Sequence, residues 1–272
     1  MIFLILLTVP QTLWAGPVTL LGYDADDHTS IGTQPCVDLS NMKPLIDLAQ
    51  NVLDNVTNGG SGILAIGADP GTEAGNWVVD LGECLSPAQT VTFVNDDSIS
   101  SISFSGYAIL YVPSDDNDLL DGGIVASSSS TDEYTRLNNR QDDVTAFVNG
   151  GGGVFSLTCG DPATTLESDP YGFISGVAGI TVTSVAANGI LPSGNDYDNV
   201  TATAPGTLLG ITDTNMDSCC WHNVFPTYPD FFDVLATANE PAVGDESFNG
   251  EAAILGGVDV IIGADWGWTH RP

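Results

Sequence analysis

The sequence predicts an α/β protein in which a doubly wound, mostly parallel sheet is followed by a β-rich C-terminal third. Short apolar runs alternate with amphipathic helical patterns as far as residue 158, which is typical of parallel strands joined by helices. Residues 179–212 are rich in Thr, Val, Gly and Asn and indicate short strands and loops. With 272 residues, 43% of them hydrophobic, the chain can bury one sizeable core, so we expect a single domain over residues 16–272.

The first elements follow from apolar spacing. A short apolar run ends in the acidic stretch "DADDH" (24–28), which indicates a strand that leads into a loop. The stretch 39–56 has apolar residues at the spacing of an amphipathic helix, and "NGGSG" ends it. The predicted elements up to residue 94 are a strand at 18–23, a helix within 39–56, a strand at 63–66, a helix at 77–85 and a strand at 90–94.

The middle of the chain continues the alternation. "YAILYV" (107–112) is a continuous apolar run of the kind that is buried on both faces of a parallel sheet. One helix is predicted over 131–148, and four glycines at 150–153 turn the chain into a strand at 154–158. Toward the C-terminus the apolar runs predict strands at 232–236, 252–255 and 258–262.

The N-terminal segment Met1–Ala15 is typical of a secretory signal peptide. An apolar stretch is followed by a polar break and by small residues at Ala15-Gly16. The apolar run is too short to span a bilayer. We therefore expect a secreted, extracellular protein.

The charge is strongly acidic, with 4 Lys and Arg against 35 Asp and Glu and a formal net charge of −31. Nucleic-acid and nucleotide partners are disfavoured because phosphate binding relies on basic residues. The four-glycine run does not predict a phosphate loop either, because a helix precedes it and a strand follows. "GADPGTEAG" (67–75) follows a strand but lacks lysine and carries two acids.

Cys159 stands where several α/β hydrolases and amidotransferases hold a nucleophile, at the end of a predicted strand and before a glycine. A thiolate nucleophile needs a base, and His222 is the candidate. In the class I amidotransferases an acid lies two residues after that histidine, whereas this chain has Val224. This departure argues against catalysis.

A disulfide is the competing interpretation of Cys159, and an inert buried cysteine is the third. Five cysteines in a secreted chain favour disulfides with one thiol left over. If the Cys159 strand end and the His222 loop meet, then Cys219 or Cys220 also lies near Cys159. We expect Cys159 to pair with Cys219 or Cys220, and Cys36 to pair with Cys84.

Acidic loops, tryptophans and sequons complete the candidate sites. Carboxylates concentrated at predicted strand ends make a calcium site the metal hypothesis, with ordinary acidic loops as the alternative. Trp266 and Trp268 are candidates for stacking on a sugar or on a neighbouring subunit, with packing in the core or at its edge as the alternative. Asn55 and Asn199 begin "NVT" sequons, which are glycosylation sites if the source is a eukaryote. The candidate metal ligands are Asp24, Asp26, Asp27, Asp115, Asp116 and Asp118.

Four stretches together resemble a known family. They are "YAILYVPSDDND" (107–118), "RLNNRQDDVTAFVNGGGGVFSLT" (136–158), "YGFISGV" (171–177) and "HNVFPTYPDFFDVLAT" (222–237). In this order they resemble secreted class I glutamine-amidotransferase-like modules that lack the catalytic triad. The resemblance covers residues 18–260 and implies a flavodoxin-like sheet and secretion.

Three functions are consistent with these features. The first is a non-catalytic extracellular structural module of a surface layer, matrix or filament that acts by self-assembly with copies of itself. The second is a cryptic Cys/His hydrolase or amidotransferase-like enzyme using Cys159 and His222. The third is a calcium-dependent carbohydrate-binding module, with an extracellular polysaccharide as its partner.

Overall fold

A computed structural model gives the fold of the chain. It describes residues 15–28, 36, 43–114, 124, 132–158, 170–184, 199–213, 215–216, 221–239 and 248–263. The predicted signal segment therefore lies outside the described residues, apart from Ala15. Among the described residues, no helix combines the length and the apolar composition needed to cross a membrane.

The first half of the chain alternates strands and helices as predicted. In chain order the elements are β1 (Gly16–Leu21), α1 (Ala25–His28), α2 (Lys43–Asn55), β2 (Ile63–Ile66), α3 (Glu73–Cys84), β3 (Val91–Val94), a 3-10 helix (Asp96–Ser100), β4 (Ile109–Val112), α4 (Glu133–Asn138), α5 (Gln141–Asn149) and β5 (Gly153–Ser156). Every residue of β1, β2, β4 and β5 is buried, which confirms that these apolar runs are covered on both faces.

The second half is richer in strands. Its elements are α6 (Ser175–Ala178), β6 (Thr181–Ser184), β7 (Val200–Ala202), α7 (Ala204–Leu208), β8 (Asn223–Thr227), β9 (Asp233–Ala238) and β10 (Ala252–Val260). This agrees with the predicted β-rich C-terminal third.

The α/β class is confirmed, but the prediction of a mostly parallel sheet is wrong. The described strands form one mixed ten-stranded sheet in the order β3-β2-β4-β5-β1-β10-β8-β6, with β9 paired to β10 and β7 paired to β9. Pairing is parallel from β3 to β1 and antiparallel beyond β1. Parallel pairing needs a long crossover, usually a helix, and the described residues after α5 form only helices of four or five residues.

Two predictions give the wrong number of elements. The helix predicted over 131–148 is two helices, because the chain leaves helical geometry at Arg140 (φ −110°, ψ 22°) after two asparagines of weak helix propensity. The strands predicted at 252–255 and 258–262 are the single strand β10. Its Gly256-Gly257 pair is not a break; a Cβ on Gly256 would lie 2.6 Å from Leu235 Cδ1 of β9.

Helices cover both faces of the parallel half. One core cluster joins α2 and α3 to one face through residues such as Leu48, Trp77 and Phe155. The other joins α4 and α5 to the opposite face through residues such as Leu137 and Val154. This layering leaves the two ends of the parallel strands as the places where loops converge.

Candidate functional site

The candidate site lies at the carboxyl edge of the parallel strands. β1, β4 and β5 are aligned in parallel, so the residues that follow them, Asp24, Ser114 and Thr158, emerge at the same edge. In open α/β sheets this edge is the usual place for ligands. Each of these three residues is buried.

Backbone hydrogen bonds hold three chain segments together at this edge. The backbone N–H of Thr158, after β5, donates to the carbonyl of Tyr23 over 3.1 Å. On the other side of β1, the N–H of His222 donates to the carbonyl of Gly22 over 2.7 Å. The Trp221 ring stacks on the Tyr23 ring with centroids 4.8 Å apart. The end of β1 is thus flanked by β5 and by the segment that carries His222.

Asp24 and His222 form a buried acid–base pair. Asp24 Oδ2 lies 3.0 Å from His222 Nε2, and the two residues are 0% and 7% exposed. A carboxylate in this position orients the imidazole ring and stabilises its protonated form.

Asp26 is a second buried carboxyl group at the same edge. Its Oδ2 accepts hydrogen bonds from the Tyr111 hydroxyl over 2.8 Å and from the Ser114 backbone N–H over 3.0 Å. Among the described residues, its Oδ1 has no hydrogen-bond partner. Burial raises the pKa of Asp26 to about 6, against the lowering effect of these hydrogen bonds, and the charge of Asp24 adds to the rise.

Tyr111 is perturbed by the same environment. Its ring is buried in the core, where it stacks on Trp77 and Phe155. Burial, followed by the neighbouring charge of Asp26, raises the pKa of Tyr111 well above its ordinary value. The Tyr111 hydroxyl therefore stays protonated and acts as a hydrogen-bond donor to Asp26.

Of the six predicted calcium ligands, the structure describes the side chains of two. Asp24 and Asp26 are buried at the carboxyl edge and engage His222 and Tyr111. The side chain of Asp27 lies outside the described residues, and so do Asp115, Asp116 and Asp118. Across the described ranges, no three His, Cys, Asp or Glu side chains are grouped so as to hold a metal ion.

One of the two expected cysteine pairs lies within the described residues. Cys36 and Cys84 form a disulfide that joins the segment before α2 to the end of α3. Cys159, Cys219 and Cys220 lie outside the described residues, so their pairing stays a prediction.

The remaining candidates are the two sequon asparagines and the two C-terminal tryptophans. Asn55 is half-buried in the last turn of α2, where its amide donates to the Asn51 carbonyl over 2.8 Å. Asn199 directly precedes β7 and is half-buried. Trp266 and Trp268 lie outside the described residues.

Sequence reasoning selected His222 but missed its acid. The expected position of that acid, residue 224, is a valine buried in β8. The acid comes instead from Asp24, 198 residues earlier in the chain. The "DADDH" stretch after β1 was the available signal, but its carboxylates suggest a calcium site or an ordinary acidic loop rather than a partner for a distant histidine. Nothing in the sequence pointed to Tyr111 as a partner of Asp26.

Comparison with protein-family models, with curated proteins and with solved structures finds no match to this chain. The function is therefore argued from the carboxyl-edge site itself, a buried Asp24–His222 pair beside a second carboxyl group of raised pKa.

Proposed function

We propose that this protein is an extracellular hydrolase of amidotransferase-like, flavodoxin-like architecture that acts through the Asp24–His222 pair. The observation that carries the proposal is the 3.0 Å contact between these two buried side chains at the carboxyl edge of the parallel strands. It removes the main argument against catalysis, which was the valine at position 224.

The strand order supports the flavodoxin-like part of the proposal. A flavodoxin-like sheet has the order 2-1-3-4-5. If β2 is counted as the first strand, the order β3-β2-β4-β5 matches the first four places, 2-1-3-4. The fifth place is occupied by β1. The carboxyl edge of β1 thereby comes to lie beside that of β5.

The reaction class follows from the residues at this edge. Cys159 is the proposed nucleophile because it directly follows Thr158 in the sequence. The backbone N–H of Thr158 donates a hydrogen bond to Tyr23, the residue before Asp24. His222 takes the thiol proton, and the thiolate sulfur attacks the acyl carbon of an amide or ester. The proton then passes from His222 to the leaving group, and water hydrolyses the thioester. Asp24 orients His222 and stabilises its cationic form.

An extracellular location is supported by two features. The Cys36–Cys84 disulfide is the kind of cross-link that persists in oxidising compartments. Met1–Ala15 has the pattern of a signal peptide. Secretion of the chain into the culture medium tests this part of the proposal independently of any activity.

Selective alkylation tests the catalytic proposal. The native protein is treated with iodoacetamide across pH 5–9 without reductant, and each cysteine is followed by peptide mapping. We expect Cys159 to react at least about tenfold faster at pH 6.5 than an unperturbed thiol, because a base in reach lowers the thiol pKa. The His222→Ala and Asp24→Asn variants should lose this advantage, whereas the control Asp230→Asn, at an exposed residue, should retain it.

Two results would overturn the proposal. One is recovery of Cys159 in a disulfide-linked peptide with Cys219 or Cys220 from the unreduced protein, since a disulfide has no nucleophilic sulfur. The other is an alkylation rate of Cys159 that His222→Ala leaves unchanged. Either result transfers support to the non-catalytic alternative.

That alternative is a self-assembling structural module, and the open sheet favours it. Among the described strands, β3, β6 and β7 end the sheet, and strand edges present backbone groups that can pair with another chain. A net charge of −31 opposes association, so assembly would need salt or bridging calcium. Sedimentation in sodium chloride with and without calcium tests it; a monomer under both conditions contradicts it.

A further inference from the structure

A second cleft lies at the opposite end of the sheet from the Asp24–His222 pair. Three loops that precede parallel strands line it, with Asn58 before β2, residues 103–106 before β4 and Gly150 before β5. The cleft has a volume of about 340 Å³, at the small end of the range of ligand sites in proteins. We call it the amino-edge cleft.

Arg140 forms a fixed wall of the amino-edge cleft. Its guanidinium lies over the Phe104 ring, 4.0 Å from the centroid, and its side chain is 11% exposed. Nη1 donates to the Ile99 carbonyl over 2.7 Å, and Nε donates to Asp143 Oδ2 over 2.9 Å. Within the described part of the chain Nη2 makes no hydrogen bond, so the group is held in place with a donor still available.

The other walls combine hydroxyl, carboxylate and aromatic groups. The hydroxyls of Ser103 and Ser105 lie 2.8 Å apart on an exposed loop, and the Asp143 side chain is 58% exposed. Phe147 packs edge-on against Phe104 beneath them. Gly106, at φ 97°, has open space where a side chain would begin, which keeps the entrance clear.

The charge of the cleft selects a neutral ligand. Arg140 and Asp143 neutralise each other, and they are the only charged side chains among the described residues that line the cleft. The net charge of −31 repels anions from the molecule as a whole. Closely spaced donors and acceptors over an apolar floor match the vicinal hydroxyls and apolar face of a pyranose ring.

We propose that the amino-edge cleft binds a neutral monosaccharide unit, as a free sugar or as part of a polysaccharide. This inference is independent of the hydrolase proposal, because none of the cleft residues takes part in the carboxyl-edge site. Asp143 and Nη2 of Arg140 bind adjacent hydroxyls, and Ser103 and Ser105 bind a further hydroxyl.

Amide chemical shifts of the isotope-labelled full chain test the proposal. The probes are the methyl glycosides of glucose, mannose and galactose, and N-acetylglucosamine. We expect one of them to shift the Gly106 and Gly150 amides with a Kd of about 1–10 mM, typical of a single small polar ligand. Inorganic phosphate, the anionic probe, should leave both amides unshifted.

Variants separate this cleft from nonspecific effects. Ser105→Trp, which fills the cleft, should abolish the shifts, and Asp143→Asn should weaken binding about tenfold through loss of a charged acceptor. Leu208→Trp places the same side chain at an 87% exposed position elsewhere and should bind as the parent does. Circular dichroism melting verifies that each variant is folded. The proposal is wrong if none of the four sugars shifts these amides, if phosphate does, or if Ser105→Trp binds unchanged.

Discussion

Asp26 shows how burial gives an ordinary residue unusual properties. The residue is 1% exposed, and its pKa is raised to about 6 from an ordinary 3.8, mainly by burial. Water hydrates this carboxyl group in the unfolded chain. Burying the ionised form therefore costs desolvation free energy, which opposes folding. Its hydrogen bonds to Tyr111 and Ser114 offset part of that cost and tie the turn after β1 to the end of β4.

The Asp26→Asn variant should change the pH dependence of stability. Below pH 3.8 both states of the parent protein are protonated at Asp26. As the pH rises to about 6 the unfolded state loses this proton first, so the parent loses on the order of 3 kcal/mol of stability from this group. The variant lacks that loss. Urea unfolding at pH 4, 5, 6 and 7 should therefore show the difference in unfolding free energy moving in favour of the variant as pH rises.

A matched substitution at an exposed position controls for the change in net charge. Asp230 is exposed, and Asp230→Asn should track the parent at every pH. If Asp26→Asn also parallels the parent from pH 4 to pH 7, the carboxyl is not perturbed as described.

At the scale of elements, the site depends on how closely the end of β1 approaches the segment before β8. Gly22 lies at this contact, and a Cβ there would lie 2.0 Å from the Asn223 carbonyl oxygen. The same contact carries the hydrogen bond from His222 N–H to the Gly22 carbonyl. The absence of a side chain at residue 22 therefore sets the distance between Asp24 and His222.

We expect Gly22→Ala to destabilise the protein by about 2–3 kcal/mol, because the clash is with backbone that cannot rotate away. It should also remove the rate advantage of Cys159 alkylation that the hydrolase proposal predicts. Gly176→Ala is the control, since a Cβ there meets only the Gln141 amide at 3.9 Å within helix α6. Equal denaturation midpoints for the two variants would contradict this account of Gly22.

On the scale of the whole molecule, the Cys36–Cys84 disulfide constrains the region around α2 and β2. It closes a loop with a sequence separation of 48 residues, which contains both of these elements. A cross-link of this span removes much of the conformational freedom of the unfolded chain. This contribution matters in a protein whose net charge of −31 favours expansion.

The double variant Cys36→Ser/Cys84→Ser should be less stable than the oxidised parent by up to about 4 kcal/mol, the loop-closure value for this separation. Guanidinium unfolding of both proteins at equal ionic strength measures the difference. Cys36→Ser/Cys84→Ser also serves as the control for reduction, because any remaining effect of reductant on it must come from the other cysteines. Identical stability of the parent and the double variant would contradict the prediction that the cross-link stabilises the protein by restricting the unfolded chain.

The pattern of apolar residues by itself determined most of the parallel half of the molecule. Strand β2 was predicted with its observed bounds, and the run that became β4 was recognised as buried on both faces. Local patterns succeed there because a strand covered on two faces must be apolar at every position. The alternation of apolar runs with helical patterns predicted the α/β class, and the composition gave the acidity. The place of His222 late in the chain made it a candidate base.

Only the tertiary structure decided how the strands are ordered and which side chains meet. Short strands of the C-terminal third carry no local mark of their direction, so the mixed sheet and the continuity of β10 followed from pairing with β1 and β9. The acid for His222 came from Asp24, and Tyr111 joined Asp26 from another strand. These two contacts join residues that are separated by 198 and 85 positions, so no periodic pattern in the sequence reveals them. They form because the ends of the parallel strands align at one edge of the sheet.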